Sequence, residues 1–246
     1  MSQQEVSNHI RTAEYLKNFN RQITLEKLVN NKHPLIIDVG ANIGQSVDEF
    51  KKIWPDSKIH CFEPQDECLK QLESTAFKYE NVFVNNYAAG SEKKDQIFYS
   101  HDISSGTSGF NKVNFSSKDS IDLSKVSSKD RDSFELKYNH ERVVKVDRLD
   151  NYLSNNSINN IDLLKIDTQG FEPEVIEGLG DSISDVKVLI TELMFYDYYD
   201  RSLSFYDIEK ILIPKGFKLF DISHISKNPM NGRTDWVDVI YKNYLI

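Results

Sequence analysis

The chain has 246 residues, 39% of them hydrophobic and 28% charged; this is enough to bury a core without disulfides or a structural metal, and it excludes the fibrous and wholly disordered classes. A formal net charge of -8 repels a phosphate backbone on balance, so no nucleic-acid partner is expected. Cys61 and Cys68 are too few for a disulfide framework or a zinc ligand set, and no signal peptide or apolar run of the ~20 residues that cross a bilayer is visible, so a soluble cytoplasmic protein without a membrane span is expected.

The chain reads as one domain over 1–246, beginning with a polar stretch at 1–33 that suits one or two leading helices. Leu35 to Val39 is a short apolar run closed by Gly40, a buried strand. Val47, Phe50, Ile53 and Trp54 then recur at helical spacing until Pro55 stops the helix. Lys58 to Phe62 is a second strand, Asp66 caps a helix with Leu69, Leu72 and Ala76 on its apolar face, and Val82 to Tyr87 is a third strand. Residues 100–139 crowd Ser, Lys and Asp around Ser104-Ser105-Gly106-Thr107-Ser108-Gly109. So long an irregular stretch suits a lid or substrate-binding insertion, or partial disorder. Four further strands follow at Ile161–Ile166, Val186–Leu193, Phe217–Ile222 and Trp236–Tyr241. The last two are separated only by a loop from Ser223 to Asp235 with Asn231-Gly232 as turn signal, so they pair antiparallel. The fold class expected is α/β: seven strands, mostly parallel, with an antiparallel C-terminal strand and helices on both faces.

In such a sheet the ligand sits at the carboxyl ends of the strands. The first strand ends in Asp38-Val39-Gly40-Ala41-Asn42-Ile43-Gly44-Gln45-Ser46, where Gly40 permits a tight turn and Gly44 lets a ligand approach the helix start, whose free amides suit a carboxylate. The second strand ends in Glu63, twenty-three residues after Gly40, where an acidic side chain accepts both hydroxyls of a ribose; the alternative for Glu63 is an ordinary surface carboxylate before Pro64. A dinucleotide site wants glycines where this turn has Asn42 and Gln45, and the Walker lysine is absent. The turn therefore suits a cofactor that combines a ribose with a carboxylate, as S-adenosylmethionine does.

Asp38-Val-Gly-Ala-Asn-Ile-Gly, Phe62-Glu63-Pro64, Val146-Asp147-Arg148-Leu149-Asp150 and Ile161-Asp-Leu-Leu-Lys165-Ile-Asp167-Thr-Gln-Gly170-Phe-Glu172 together resemble the FkbM family of methyltransferases, as does the stretch from Glu192 through Phe205 to Gly216-Phe217. The resemblance runs from about residue 34 to 242. It implies a class I methyltransferase (Rossmann-like) fold, S-adenosylmethionine as donor, and usually O-methylation of a glycan or natural product, so the partner is a small-molecule or glycan acceptor. Carried over by position, it implies that the turn from Asp38 through Gly40, Ala41, Asn42, Gly44, Gln45 and Ser46 holds the methionine part. Glu63, with Pro64 beside it, would take the ribose and Ala88 the adenine edge, with Asp167 near donor and acceptor. Thr168-Gln169 departs from the family's small apolar residue and Glu, so Gln169 is given no catalytic role.

An acceptor hydroxyl must lose its proton, and the base belongs at the strand ends. Asp167 ranks first, then Glu192, with His101 and His224 as loop candidates; for Glu192 the alternative is a buried carboxylate that orders neighbouring loops, and for either histidine a solvated loop residue. Lys165 is read as pairing with a carboxylate rather than touching substrate. Asp167 and Glu192 suit a shared divalent cation, but two carboxylates are thin ground and no metal is assigned. The aromatic run Phe195-Tyr196-Asp197-Tyr198-Tyr199 suits stacking on a sugar ring, or equally packing on the sheet. Three other readings stay open: a nicotinamide-dependent oxidoreductase, against which the glycine spacing counts; a nucleic-acid methyltransferase, against which the charge and the Asp167-Thr-Gln-Gly turn count; and a non-catalytic binding protein on the same fold.

Overall fold

The computed structural model describes residues 8–117 and 130–246, so the expectations for 1–7 of the leading stretch and 118–129 of the insertion lie outside the described residues. Two helices, α1 (Asn8–Asn18) and α2 (Arg21–Val29), lead into β1 (Leu35–Val39). Then follow α3 (Gln45–Ile53), β2 (Lys58–Phe62), α4 (Asp66–Ala76) and β3 (Val82–Asn85). After β4 (Ala88–Ala89), β5 (Lys94–Ser100), α5 (Arg131–Glu135), β6 (His140–Asp147) and α6 (Leu149–Asn155), the chain returns to the main sheet. It does so through β7 (Ile161–Ile166), α7 (Glu172–Glu177), β8 (Val186–Met194), α8 (Phe205–Leu212), β9 (Phe217–Lys227) and β10 (Thr234–Asn243).

The main sheet has the order β3-β2-β1-β7-β8-β10-β9, parallel from β3 to β8, with β10 antiparallel to both neighbours. This is the seven-stranded sheet with one antiparallel C-terminal strand that the sequence pattern predicts. Its inner strands β1, β2, β7 and β8 read as largely apolar runs because both faces are covered. On one face Ile36, Leu163, Ile190 and Ile240 pack with Leu25 of α2 and Val47 and Phe50 of α3. On the other, Ile37, Leu164, Leu189 and Val239 pack with Leu149, Val175 and Ile208 from α6, α7 and α8. Burying one such side chain stabilises the fold by about 1.5–3 kcal/mol, so this double layer fixes where the strand ends lie. Among the described residues no helix is long and apolar enough to cross a membrane.

Several local expectations are corrected. Asp66 is the first residue of α4 rather than its cap; Gln65 occupies the cap position, and the buried face is Cys68, Leu72, Thr75 and Ala76. The third strand stops at Asn85, whose side-chain amide donates to the Cys61 carbonyl. Ala88 and Ala89 then open a separate sheet of order β4-β6-β5 that the sequence reading left out. The insertion at 100–139 joins β5 to β6 of this small sheet. Its described part contains a turn of 3-10 helix at Ser105–Thr107 and the short α5. The region from Ser223 to Asp235 is mostly strand, because Ile222, Ser223, His224 and Ile225 keep the alternation going. Only Asn228–Arg233 turns, closed by the Gly232 amide donating to the Asn228 carbonyl at 2.9 Å.

Candidate active site

The ends of β1, β2 and β7 are laced together. The amides of Gly40 and Ala41 donate to the Phe62 carbonyl at 3.0 and 3.2 Å, and the Asp167 amide donates to the Val39 carbonyl at 3.0 Å. Gly40 has φ +78°, and a Cβ there would lie 1.9 Å from the Asp167 carbonyl oxygen, so only glycine lets β1 turn while touching β7. Asn42, at φ 47°, is also left-handed, and its amide donates to Glu63 Oε2 at 2.8 Å. The Gln65 amide donates to Oε1 at 2.9 Å, which fixes the Glu63 carboxylate from both sides. Burial raises the Glu63 pKa, and the amides of Gln65 and Asn42 partly offset the rise. A carboxylate has about four acceptor positions, so two remain for a ligand.

A cavity of about 320 Å³ opens over these strand ends. Gly40, Ala41, Asn42, Gln45 and Ser46 form one wall. Glu63, Pro64 and Ala88 form a second, and Asp167 and Glu192 stand at the ends of β7 and β8. Asp38 lies under the turn, completely buried, and accepts a hydrogen bond from the Ser46 hydroxyl. Gly44 stays outside the cavity as the N-cap of α3, where its missing Cβ admits Thr75. The structure adds Arg21, Glu49, Lys165, Gln169 and Asp238 to the walls. Asp238 had a signal, an acid inside the apolar run Trp236 to Tyr241; Arg21 had none, because it reaches the site only through the docking of α2.

The charged row at the strand ends is ordered. Lys165 Nζ is 3.5 Å from Asp38 Oδ1 and 3.4 Å from Asp167 Oδ2. Burial alone would lower the Lys165 pKa, but the Asp167 and Asp38 carboxylates outweigh it and raise it, so the ammonium stays charged. Burial raises the Asp38 pKa, opposed by Lys165 and Ser46. Gln169 Nε2 donates to Asp167 Oδ1 at 2.8 Å and reaches Glu192 Oε1 at 3.3 Å. The Tyr199 hydroxyl lies 2.7 Å from both Gln169 Oε1 and the Thr107 carbonyl oxygen, which brings the insertion against this row. Although it was given no role from the sequence, Gln169 is thus the bridge between the two acids.

Burial, with Asp167 and Asp238 nearby, raises the Glu192 pKa to about 9. The folded protein therefore keeps this proton after the unfolded chain has lost it, so stability declines from the ordinary glutamate range up to about pH 9 and then levels. A Glu192→Gln protein escapes that decline. Its melting temperature is expected to match the wild type near pH 4 and to exceed it by a margin that grows steadily up to pH 9. Calorimetric melts across that range check this; a constant offset at all pH values would contradict it.

The two histidines stand elsewhere. His224 is in β9, not a loop; its ring stacks on Trp236 at 4.7 Å and does not line the cavity, so it is withdrawn as a candidate base. His101 is buried, accepts the Asn139 amide at Nδ1 (3.0 Å), and has its pKa lowered to about 4 by burial and by His140. In the aromatic run, Tyr199 is buried, Tyr196 lies against Arg233 at 4.9 Å, and both line a small cleft beside Gln169 and Glu192. Among the described residues no group of three or more His, Cys, Asp or Glu is placed to hold a metal ion.

Comparison with known proteins gives one family: the model of the methyltransferase FkbM domain matches residues 38–219. The 2-O-methyltransferase NoeI of Sinorhizobium fredii (strain NBRC 101917 / NGR234) is 23% identical over 187 residues, covering 74% of this chain and 72% of the relative. Among solved structures, methyltransferase FkbM from Methylobacillus flagellatus KT superposes with a TM-score of 0.53 at 14% identity. That match covers 86% of this chain, which spans only 44% of that longer protein.

Proposed function

The chain belongs to the FkbM methyltransferase family, and on that premise we propose that it moves a methyl group from S-adenosylmethionine to a hydroxyl of a sugar, a glycan or another small polyhydroxylated acceptor. The observation that carries the reading is the Glu63 cradle at one end of a cavity that reaches Asp167 at the other.

The residues fit such a donor. Glu63 keeps acceptor positions for a ribose diol, Ala88 leaves room for a flat base, and the acids along the walls suit the donor's positive charges. Bound there, the donor supplies an electrophilic methyl group on a sulfonium. The chain's own work is to align the acceptor oxygen and take its proton. Asp167 serves as the base, with Lys165 and Gln169 holding one carboxylate oxygen each. The cleft beside Tyr196 and Tyr199, about 20 Å³, is too small for a sugar ring, so the support for a hydroxyl acceptor comes from the O-methyl specificity named for NoeI.

An Asp167→Asn protein is expected to lose about 100- to 10,000-fold in turnover while holding S-adenosylhomocysteine within a few fold of wild type. The reading itself is tested by supplying donor with an isotopically labelled methyl group to a panel of saccharides and natural-product alcohols. Mass spectrometry should find the label on an acceptor oxygen; label on amine acceptors alone would overturn it.

A further inference from the structure

The cavity ends differ in chemistry. Opposite the Glu63 end, α2 and α3 bring Arg21 and Glu49 together beside Asp238 of β10. Strand alternation puts Asp38, Lys165, Glu192 and Asp238 on the α2 and α3 side of the sheet, two residues along from Ile36, Leu163, Ile190 and Ile240. The described walls thus carry several carboxylates but two cations, Lys165 and Arg21.

The two cations are held differently. Lys165 is enclosed between Asp38 and Asp167. Arg21 donates from Nε to Glu49 Oε1 at 3.0 Å and from Nη1 to Asp238 Oδ2 at 3.2 Å and Ser223 Oγ at 2.6 Å, and its Nη2 donates to no described residue. Those contacts come from three elements and fix the plane of the guanidinium, while its side chain remains 23% exposed in the cavity wall. A guanidinium held rigid with donors to spare is preorganised for a carboxylate.

We propose that Arg21 anchors the α-carboxylate at the amino-acid end of the donor, with Glu49 and Asp238 facing its ammonium group. This rests on the donor reading above. It gives the leading helix α2, which lies outside the matched stretch 38–219, a part in donor binding. Glu63 follows β2 and Asp238 lies in β10, with β1, β7 and β8 between them in the sheet, so the proposal gives the cavity a polarity, with the nucleoside at one end and the amino acid at the other.

The test is a mutation-ligand cycle by calorimetry with the full chain, using S-adenosylhomocysteine and its decarboxylated analogue, which keeps the ammonium. Wild type should bind the intact ligand about 10- to 100-fold more tightly than the analogue. Arg21→Gln should lose that advantage and bind the analogue within about twofold of wild type, and Arg21→Lys should fall between, because it keeps the charge but not the orientation that the Nε and Nη1 contacts impose on Nη2. Equal losses for both ligands in Arg21→Gln would mean that Arg21 only supports the fold, and no loss for either would mean that the carboxylate lies elsewhere; both overturn the inference and leave the donor reading intact. Failure of the wild type to bind either ligand would overturn both.

Discussion

A Gly40→Ala protein is expected to lose more than about 3 kcal/mol of folding stability, a large share of what a domain of this size has. The added Cβ would stand 1.9 Å from the Asp167 carbonyl oxygen. That oxygen cannot retreat, because the Asp167 amide is bonded to Val39 and β7 is paired in register with β1 through Val39 and Ile166. Gly232 separates collision from backbone strain. Its φ of +76° is close to the +78° of Gly40, yet nothing lies within 4 Å of a Cβ built there. Gly232→Ala should therefore cost only the left-handed penalty of about 1–2 kcal/mol. Urea denaturation of the two variants checks this, and equal losses would show that the contact with Asp167 is not what requires glycine.

The fold was legible wherever burial on both faces made a strand continuously apolar. Leu35–Val39, Lys58–Phe62 and Ile161–Ile166 have the observed bounds for that reason, and the acids at their ends, Glu63 and Asp167, could be placed with them. The small sheet was not legible. Lys94–Ser100 and His140–Asp147 are largely half-exposed strands in which charged residues interrupt the apolar pattern, and Ala88–Ala89 is too short to carry a period. Nor could a linear reading find contacts that depend on distant segments meeting. Arg21 reaches Asp238 across 217 positions, and Gln169 acquires its place only where β7, β8 and the Tyr199 segment converge. His224 was misplaced for a related reason: an exposed strand extension at the sheet edge reads like a loop.

The second large effect is expected at Glu63. Its carboxylate is 2% exposed and already oriented by the Asn42 and Gln65 amides, so a ribose would meet acceptors fixed before it arrives. Removing them deletes two charge-assisted hydrogen bonds, each worth about 1.5–3 kcal/mol, and leaves those two amides in need of new partners. Glu63→Ala should therefore weaken nucleoside binding by at least about 100-fold. The same loss would extend to a decarboxylated ligand, since the ribose end is common to both. Calorimetric titration of wild type and Glu63→Ala with S-adenosylhomocysteine, beside NAD, tests the donor assignment most directly. Saturable binding of S-adenosylhomocysteine to wild type, lost in Glu63→Ala and absent for NAD, is the predicted result; binding of NAD without S-adenosylhomocysteine would contradict it.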